Sequence, residues 1–148
     1  MTSPERPTAF FRPHGHIECR RAGRVIHTRA HGPFNAESVR GYGQMLAALT
    51  GELPVDCPFV VIATISGSIL ATPEAWEALD MGVQRRQSGT HRQLGSAWVV
   101  PGDVEGGSLF VPRARALYEA AGIAFGAFVE APAAEAWADA LLVTHASP

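Results

Sequence analysis

The residues best suited to contact a ligand lie in one short polar segment that contains Ser66, Gly67, Ser68 and Thr72. Two hydroxyl groups flank a glycine, and residues this small let another molecule come close to the backbone. Thr72 and Pro73 are typical of a helix N-cap and first helical position, and free amide groups at a helix N-terminus attract anions. Glu74 would compete with an anion there. We therefore predict that the segment faces a ligand or a partner; the alternative is a capped turn without a binding role.

Three histidines, His14, His16 and His31, would form a zinc site in only one register of a predicted N-terminal hairpin. A two-residue turn at Ala22–Gly23 places the three imidazoles close together on one face, which suits zinc. A three-residue loop that begins at Arg21 shifts the register by one residue and separates them. The three-residue loop is favoured because only its glycine needs a positive φ, which alanine resists. The sequence therefore predicts no metal site.

Motifs for catalysis or cofactor binding are absent from the sequence. Neither Ser66 nor Ser68 lies in a G-x-S-x-G pattern, and no histidine lies in the sequence context that a catalytic triad would need. The glycine-rich connection 102–108 lacks the lysine of a phosphate-binding loop and the spacing of a dinucleotide fingerprint. We therefore expect no cofactor and no enzymatic activity. A small hydrolase or metal enzyme of unrecognised type is the third functional alternative.

The composition is that of one globular domain. The chain has 148 residues, of which 47% are hydrophobic and 18% charged, and this is enough for a packed core. Its 12 basic and 14 acidic residues give a net charge of -2, which argues against a nucleic-acid partner. No apolar run reaches membrane-spanning length, and the N-terminus lacks the apolar core of a signal peptide. Cys19 and Cys57 do not form a disulfide pattern, so we expect a cytoplasmic protein.

The elements that position the polar segment follow from the apolar pattern. Residues 59–65 are apolar or β-branched without alternation, which is typical of a strand buried on both faces. Strands and amphipathic helices follow one another in the order β-β-α-β-α-β-α-β-α, beginning with the hairpin. The sequence therefore predicts an α/β domain over residues 14–148, with a mixed, mostly parallel five-stranded sheet and four helices. Residues 1–13 are predicted to form a flexible, proline-rich tail.

Strand 59–65 is too apolar to face water, so each of its faces needs a cover. We expect that cover to come from helices on both sides, from Phe10 and Phe11 in the tail, or from a second subunit in a homodimer. The helical periodicity of the last helix predicts an inward face made of Ala133, Trp137, Ala140 and Leu141.

Three patches of the sequence resemble the SpoIIAA-like branch of STAS domains. They are residues 32–35 before the first helix, residues 70–75 at the start of the second, and residues 117–122 together with Ala136–Trp137. The similarity covers roughly residues 15–143. It implies strands that follow one another across the sheet in sequence order, with the first strand antiparallel at one edge, and a non-enzymatic role.

The resemblance also bears on the polar segment. In phosphorylated STAS domains a serine in the loop after the central strand acts as a switch beside an aspartate. Here Ile65 precedes Ser66 and no Asp-Ser pair occurs, which argues against a phosphoserine switch. What carries over is a contact surface at Ser66, Gly67, Ser68 and Thr72.

Two hypotheses for function follow from the resemblance. The first is a non-catalytic binding or regulatory module that contacts an unknown protein partner. The alternative is a protein that binds a small apolar molecule or lipid between sheet and helices, and it predicts a pocket on the order of several hundred Å³.

Overall fold

A computed structural model describes residues 15–145 of the chain as five strands and four helices. Their bounds in chain order are β1 His16–Ala22, β2 Val25–His31, α1 Ala36–Thr50, β3 Phe59–Ser66, α2 Pro73–Gln87, β4 Gln93–Val99, α3 Gly107–Ala120, β5 Ala124–Phe128 and α4 Ala131–Thr144. This is the predicted order of elements. The predicted tail, including Phe10 and Phe11, lies outside the described residues, as does His14. No helix in the described range is long and apolar enough to span a membrane.

The five strands form one sheet in the order β1-β2-β3-β4-β5. Strand β1 is antiparallel to β2, and every other neighbouring pair is parallel. Sequential parallel strands need crossover connections, and α1, α2 and α3 supply them. The predicted mixed, mostly parallel sheet with an antiparallel edge strand is therefore confirmed.

Strand β3 sends alternate side chains into two different cores, which is why its sequence lacks alternation. Val61, Ala63 and Ile65 face the layer formed by α1, α2 and α3. Val60 and Ile62 face α4 on the other side of the sheet. Helices thus cover both faces of β3, and this strand needs no second subunit as a cover.

Helix α4 approaches the sheet closely because β4 has a glycine beneath it. A Cβ atom on Gly95 would lie 2.5 Å from Leu141 Cδ2 and 2.9 Å from a ring carbon of Trp137. Ala134 and Ala138 are fully buried on the same stripe. The prediction of Trp137 and Leu141 on the inward face is thus confirmed, whereas that of Ala133 and Ala140 was wrong, since both alanines are exposed.

Neither hairpin register considered from the sequence is correct. The turn consists of Gly23 and Arg24, and Ala22 pairs with Val25. Gly23 adopts φ +61°, so the glycine takes the first central position of a two-residue loop, as favoured hairpin turns allow. In this register His16 lies opposite His31. Among residues 15–145, no group of three or more His, Cys, Asp or Glu side chains is placed to hold a metal ion.

Candidate functional site

The four predicted contact residues lie at the carboxyl end of β3, but they have different local roles. Ser66 ends the strand and Gly67 turns the chain with φ +75°, and both are exposed. Ser68 is only 4% exposed, and its Oγ accepts a hydrogen bond from the Leu70 amide at 3.0 Å. Thr72 caps α2, with its Oγ1 accepting from the Ala75 amide at 3.0 Å. Ser66, Gly67 and Thr72 are therefore exposed to another molecule, with the Thr72 hydroxyl already engaged as a helix cap, whereas Ser68 is buried.

Backbone hydrogen bonds fix this loop to the segments on either side. The Phe34 amide donates to the Leu70 carbonyl at 2.9 Å, and the Thr72 amide donates to the Phe34 carbonyl at 3.2 Å. On the other side, the Glu105 amide donates to the Gly67 carbonyl at 3.0 Å. The carboxyl ends of β2, β3 and β4 are thus held together as one rigid edge.

Ser66 forms a side-chain pair that the sequence did not reveal. Its Oγ lies 2.9 Å from His31 Nδ1, because the parallel register places the last residues of β2 and β3 side by side. Gly67 packs against the same imidazole, since a Cβ atom there would lie 2.6 Å from His31 Cε1. His31 is 35 positions from Ser66 in the sequence, and no sequence motif links the two residues.

The Ser66–His31 pair is incomplete as a catalytic unit. Nucleophilic serines are activated by a base that a third group orients, usually a carboxylate on the second ring nitrogen. Within the described chain no carboxylate is hydrogen-bonded to His31, and the pair is exposed to solvent. The pair can present a hydroxyl and an imidazole to a partner, but it lacks the groups that would orient and desolvate the base.

The face of the hairpin that α4 leaves open is polar. Alternate residues of β1 and β2 place Glu18, Arg20, His27 and Arg29 around a pocket of about 230 Å³, whose far wall includes Glu135 of α4. Partial burial lowers the pKa of His27, the Arg20 charge lowers it further, and the Glu135 charge acts in the opposite sense. This face can accept polar or charged groups, but cations and carboxylates are mixed on it.

An apolar groove of about 450 Å³ lies at the carboxyl ends of β4 and β5. Val100, Val111 and Phe128 contribute to its walls. Gly106 also lines the groove and directly follows Glu105, whose amide donates a hydrogen bond to the Gly67 carbonyl. Val129, which lines the groove, is 65% exposed, and Leu109, the next residue in sequence after the lining residue Ser108, is 72% exposed. We call Ser66, Gly67, Glu105, Leu109 and Val129 the carboxyl-edge surface.

A small cavity lies between the sheet and the helices on the α1–α3 side. Its volume is about 70 Å³, and its walls are mostly apolar. They comprise Ile17, Thr28, Ala30, Phe34, Val39, Tyr42, Ala63, Ile65, Leu79, Trp98 and Tyr118. Burial raises the pKa of both tyrosines above its ordinary value. The cavity can hold a small apolar group.

Comparisons with known proteins bear on the fold. The sequence matches no family model, and a search of curated proteins finds no match. A crystal structure from Shewanella loihica PV-4, described as an uncharacterized protein from the DUF3478 family with a SpoIIAA-like fold, is similar with a TM-score of 0.56. The two chains share 14% sequence identity, and the match covers 89% of this chain and 99% of that chain. At this identity the likeness shows the fold alone, and the SpoIIAA-like fold implied by the sequence patches is confirmed.

Proposed function

We propose that this domain is a non-catalytic, cytoplasmic binding module of the STAS-like type that contacts a protein partner through the carboxyl-edge surface. The observation that carries the proposal is the exposure of Val129 in an apolar groove, together with that of Leu109, which follows the groove residue Ser108 in sequence. Clustered apolar side chains in water are unfavourable, and such patches commonly mark interaction sites. Both described cysteines are free, which suits a reducing compartment.

The rest of the carboxyl-edge surface supplies what a protein interface needs around an apolar centre. Ser66 and His31 are exposed polar groups at its rim, and the loop that carries Ser66 is held by hydrogen bonds on both sides. A rigid surface loses little conformational freedom when it binds. An apolar centre with a polar rim is the usual anatomy of a protein interface. The incomplete Ser66–His31 pair supports recognition rather than catalysis.

Affinity capture with matched variants tests this proposal. Immobilised wild-type protein, the double variant Leu109→Ser/Val129→Ser and the control Val55→Ser would be exposed to the same lysate of the source cells. Val55 is 78% exposed but lies in the loop between α1 and β3, away from the groove. We expect a protein that wild type and Val55→Ser retain and the double variant loses. Retention of no protein by wild type, or of the same proteins by all three, would contradict the proposal.

A second copy of the chain is one partner that this surface could bind. Sedimentation at two protein concentrations would then show a dimer for wild type and a monomer for Leu109→Ser/Val129→Ser. A monomer for wild type at both concentrations would exclude the homodimer and leave a different protein as the partner.

Binding of a small apolar ligand is a second candidate function, favoured by the cavity between sheet and helices. Its volume of about 70 Å³ is far below the several hundred Å³ that a lipid or drug-sized ligand would need. It is also smaller than the cavity of about 150 Å³ that holds benzene in an engineered protein. The ligand would therefore be an apolar molecule smaller than benzene. Native mass spectrometry of the purified protein should show an added mass that Ala63→Leu removes by filling the cavity; an unliganded mass for wild type would refute this function.

A further inference from the structure

Arg86, near the end of α2, is partly buried and has two guanidinium nitrogens that lack acceptors. Its Nε and Nη2 atoms are shielded from solvent, and neither has a hydrogen-bond partner within residues 15–145. A buried charge without hydrogen bonds is costly, and native structures nearly always supply an acceptor. The Arg86 side chain therefore marks a place where an acceptor is missing from the described chain.

The side chain belongs to a groove of about 330 Å³ between α1 and α2. Arg40, Arg85 and Arg86 all line this groove, and none of its lining residues within 15–145 is acidic. Arg40 and Arg85 are exposed, and no salt bridge within the described chain neutralises either one. Three cations without a salt bridge among the described residues make the groove electrostatically complementary to a negatively charged ligand.

Small residues keep the groove open. A Cβ atom on Gly43 would meet nothing within 4 Å, and one on Gly82 would meet only Arg86 Nη1, at 3.3 Å. Ala47 and Ala78 line the same space. Glycine at position 43 weakens α1 relative to alanine, so the opening is kept at some expense of helix stability.

Arg86 also connects the groove to the apolar interior. Its guanidinium carbon lies over the Tyr42 ring, 6.0 Å from the ring centre. Burial raises the pKa of Tyr42 and Tyr118, and the Arg86 charge opposes this effect at both phenols. Val39, Tyr42 and Leu79 line both the groove and the cavity of about 70 Å³. A ligand in the groove would thus have cations at one end and apolar side chains at the other.

The geometry points to a binding site for a small organic oxyanion, a carboxylate or a phosphate ester, in the α1–α2 groove. Arg86 donates to the charged group through Nη1, the guanidinium nitrogen that lies beside Gly82 in the groove. Arg40 and Arg85 neutralise the group at the rim, and its carbon part lies on Val39 and Leu79. A guanidinium suits either acid, because its paired N–H groups match the oxygens of carboxylate and phosphate alike. The site is separate from the carboxyl-edge surface and does not depend on the proposed protein partner.

Thermal unfolding of the full chain tests the site. Sodium phenyl phosphate, sodium hexanoate and sodium chloride would be titrated at one constant ionic strength. A ligand that binds only the folded state raises the unfolding midpoint as its concentration increases. We expect at least one organic anion to raise the midpoint of wild type beyond chloride, and the anion that does so identifies the acid group. No response of wild type to either organic anion would overturn the proposal.

Variants assign the response to Arg86. In Arg86→Met the anion response should disappear, and the midpoint in chloride should equal or exceed that of wild type because an unpaired buried cation has been removed. Arg113→Met is the matched control, since Arg113 stacks on Trp76 at 4.6 Å outside the groove, and it should respond like wild type. An equal anion response in Arg86→Met would refute the site.

A second variant keeps the test decisive if Arg86→Met does not fold. Gly43→Leu leaves Arg86 in place, favours the helix and fills the groove with a side chain. By calorimetric titration with the active anion, its affinity should be at least tenfold weaker than that of wild type. Unchanged affinity would show that the anion binds elsewhere and would overturn the proposal.

Discussion

Replacement of Gly67 by alanine should destabilise the fold through two separable effects. The first is backbone strain, because Gly67 has φ +75°, where a Cβ atom is unfavourable. The second is collision, because the new Cβ would lie 2.6 Å from His31 Cε1 and 3.0 Å from the Gly32 carbonyl oxygen. Gly23 provides a matched control, since it has φ +61° but an added Cβ atom would meet no other atom within 4 Å.

The two effects have different sizes. A left-handed conformation costs a non-glycine residue about 1–2 kcal/mol, so Gly23→Ala should lower the free energy of unfolding by that amount. In Gly67→Ala the exposed imidazole of His31 must also turn away and lose its hydrogen bond to Ser66, which adds about 0.5–1.5 kcal/mol. We therefore expect Gly67→Ala to cost about 2–3 kcal/mol, roughly 1 kcal/mol more than Gly23→Ala.

Urea unfolding of both variants, in wild-type and His31→Ala backgrounds, checks this reasoning. Without the imidazole, the extra cost of Gly67→Ala should shrink towards the value for Gly23→Ala, while the contact with the Gly32 carbonyl remains. A coupling energy of about 1 kcal/mol between positions 67 and 31 is expected from the double-mutant cycle. Equal costs for the two glycines, or no coupling to His31, would refute the packing of His31 against Gly67.

Three further predictions concern other parts of the fold. Gly95→Ala should lower the free energy of unfolding by about 1–3 kcal/mol, because the added methyl group overpacks the contact with α4. Gly41→Ala, in open space on α1, should raise the free energy of unfolding by up to about 1 kcal/mol. Urea titrations that give the same sign for both variants would contradict this prediction. The pKa of His27 is lowered in the folded state, so the unfolded state binds more protons and stability should decrease as the pH falls below the usual histidine value. Unfolding midpoints between pH 7.5 and pH 5.5 should therefore change less in His27→Gln than in wild type. Burial raises the pKa of the Cys19 thiol above its usual range. Iodoacetamide at pH 8 should therefore modify Cys19 more slowly in the folded protein than in the urea-unfolded protein. Equal rates of modification would argue against the burial of Cys19.

Local signals account for the parts of the fold that the sequence predicts well. Asn35 and Thr72 are N-cap residues by type, and both caps are present with the expected side-chain hydrogen bonds. The unbroken apolar run of β3 predicts burial on both faces, and β3 is the middle strand between two helical layers. Each of these inferences needs only a few adjacent residues.

Features that depend on register or on distant pairs were not predictable in the same way. The hairpin turn lies at Gly23–Arg24, and a shift of one residue reverses which side chains share a face. His31 and Ser66 are 35 positions apart, and only the parallel register brings them within hydrogen-bond distance. The signal that could have found them is that each is the last residue of its strand, beside a glycine that turns the chain.

The position of α4 has a consequence for synthesis of the chain on the ribosome. The helix contributes the cover on one whole face of β3, β4 and β5, yet it is the last of the nine described elements to be made. Until residues 131–144 have left the exit tunnel, Val60, Ile62 and Val99 form an apolar sheet face without a cover. Such nascent surfaces are prone to aggregation and are typical targets of chaperones. A nascent chain arrested before α4 should therefore bind a general chaperone, whereas a chain arrested after α4 has emerged should not.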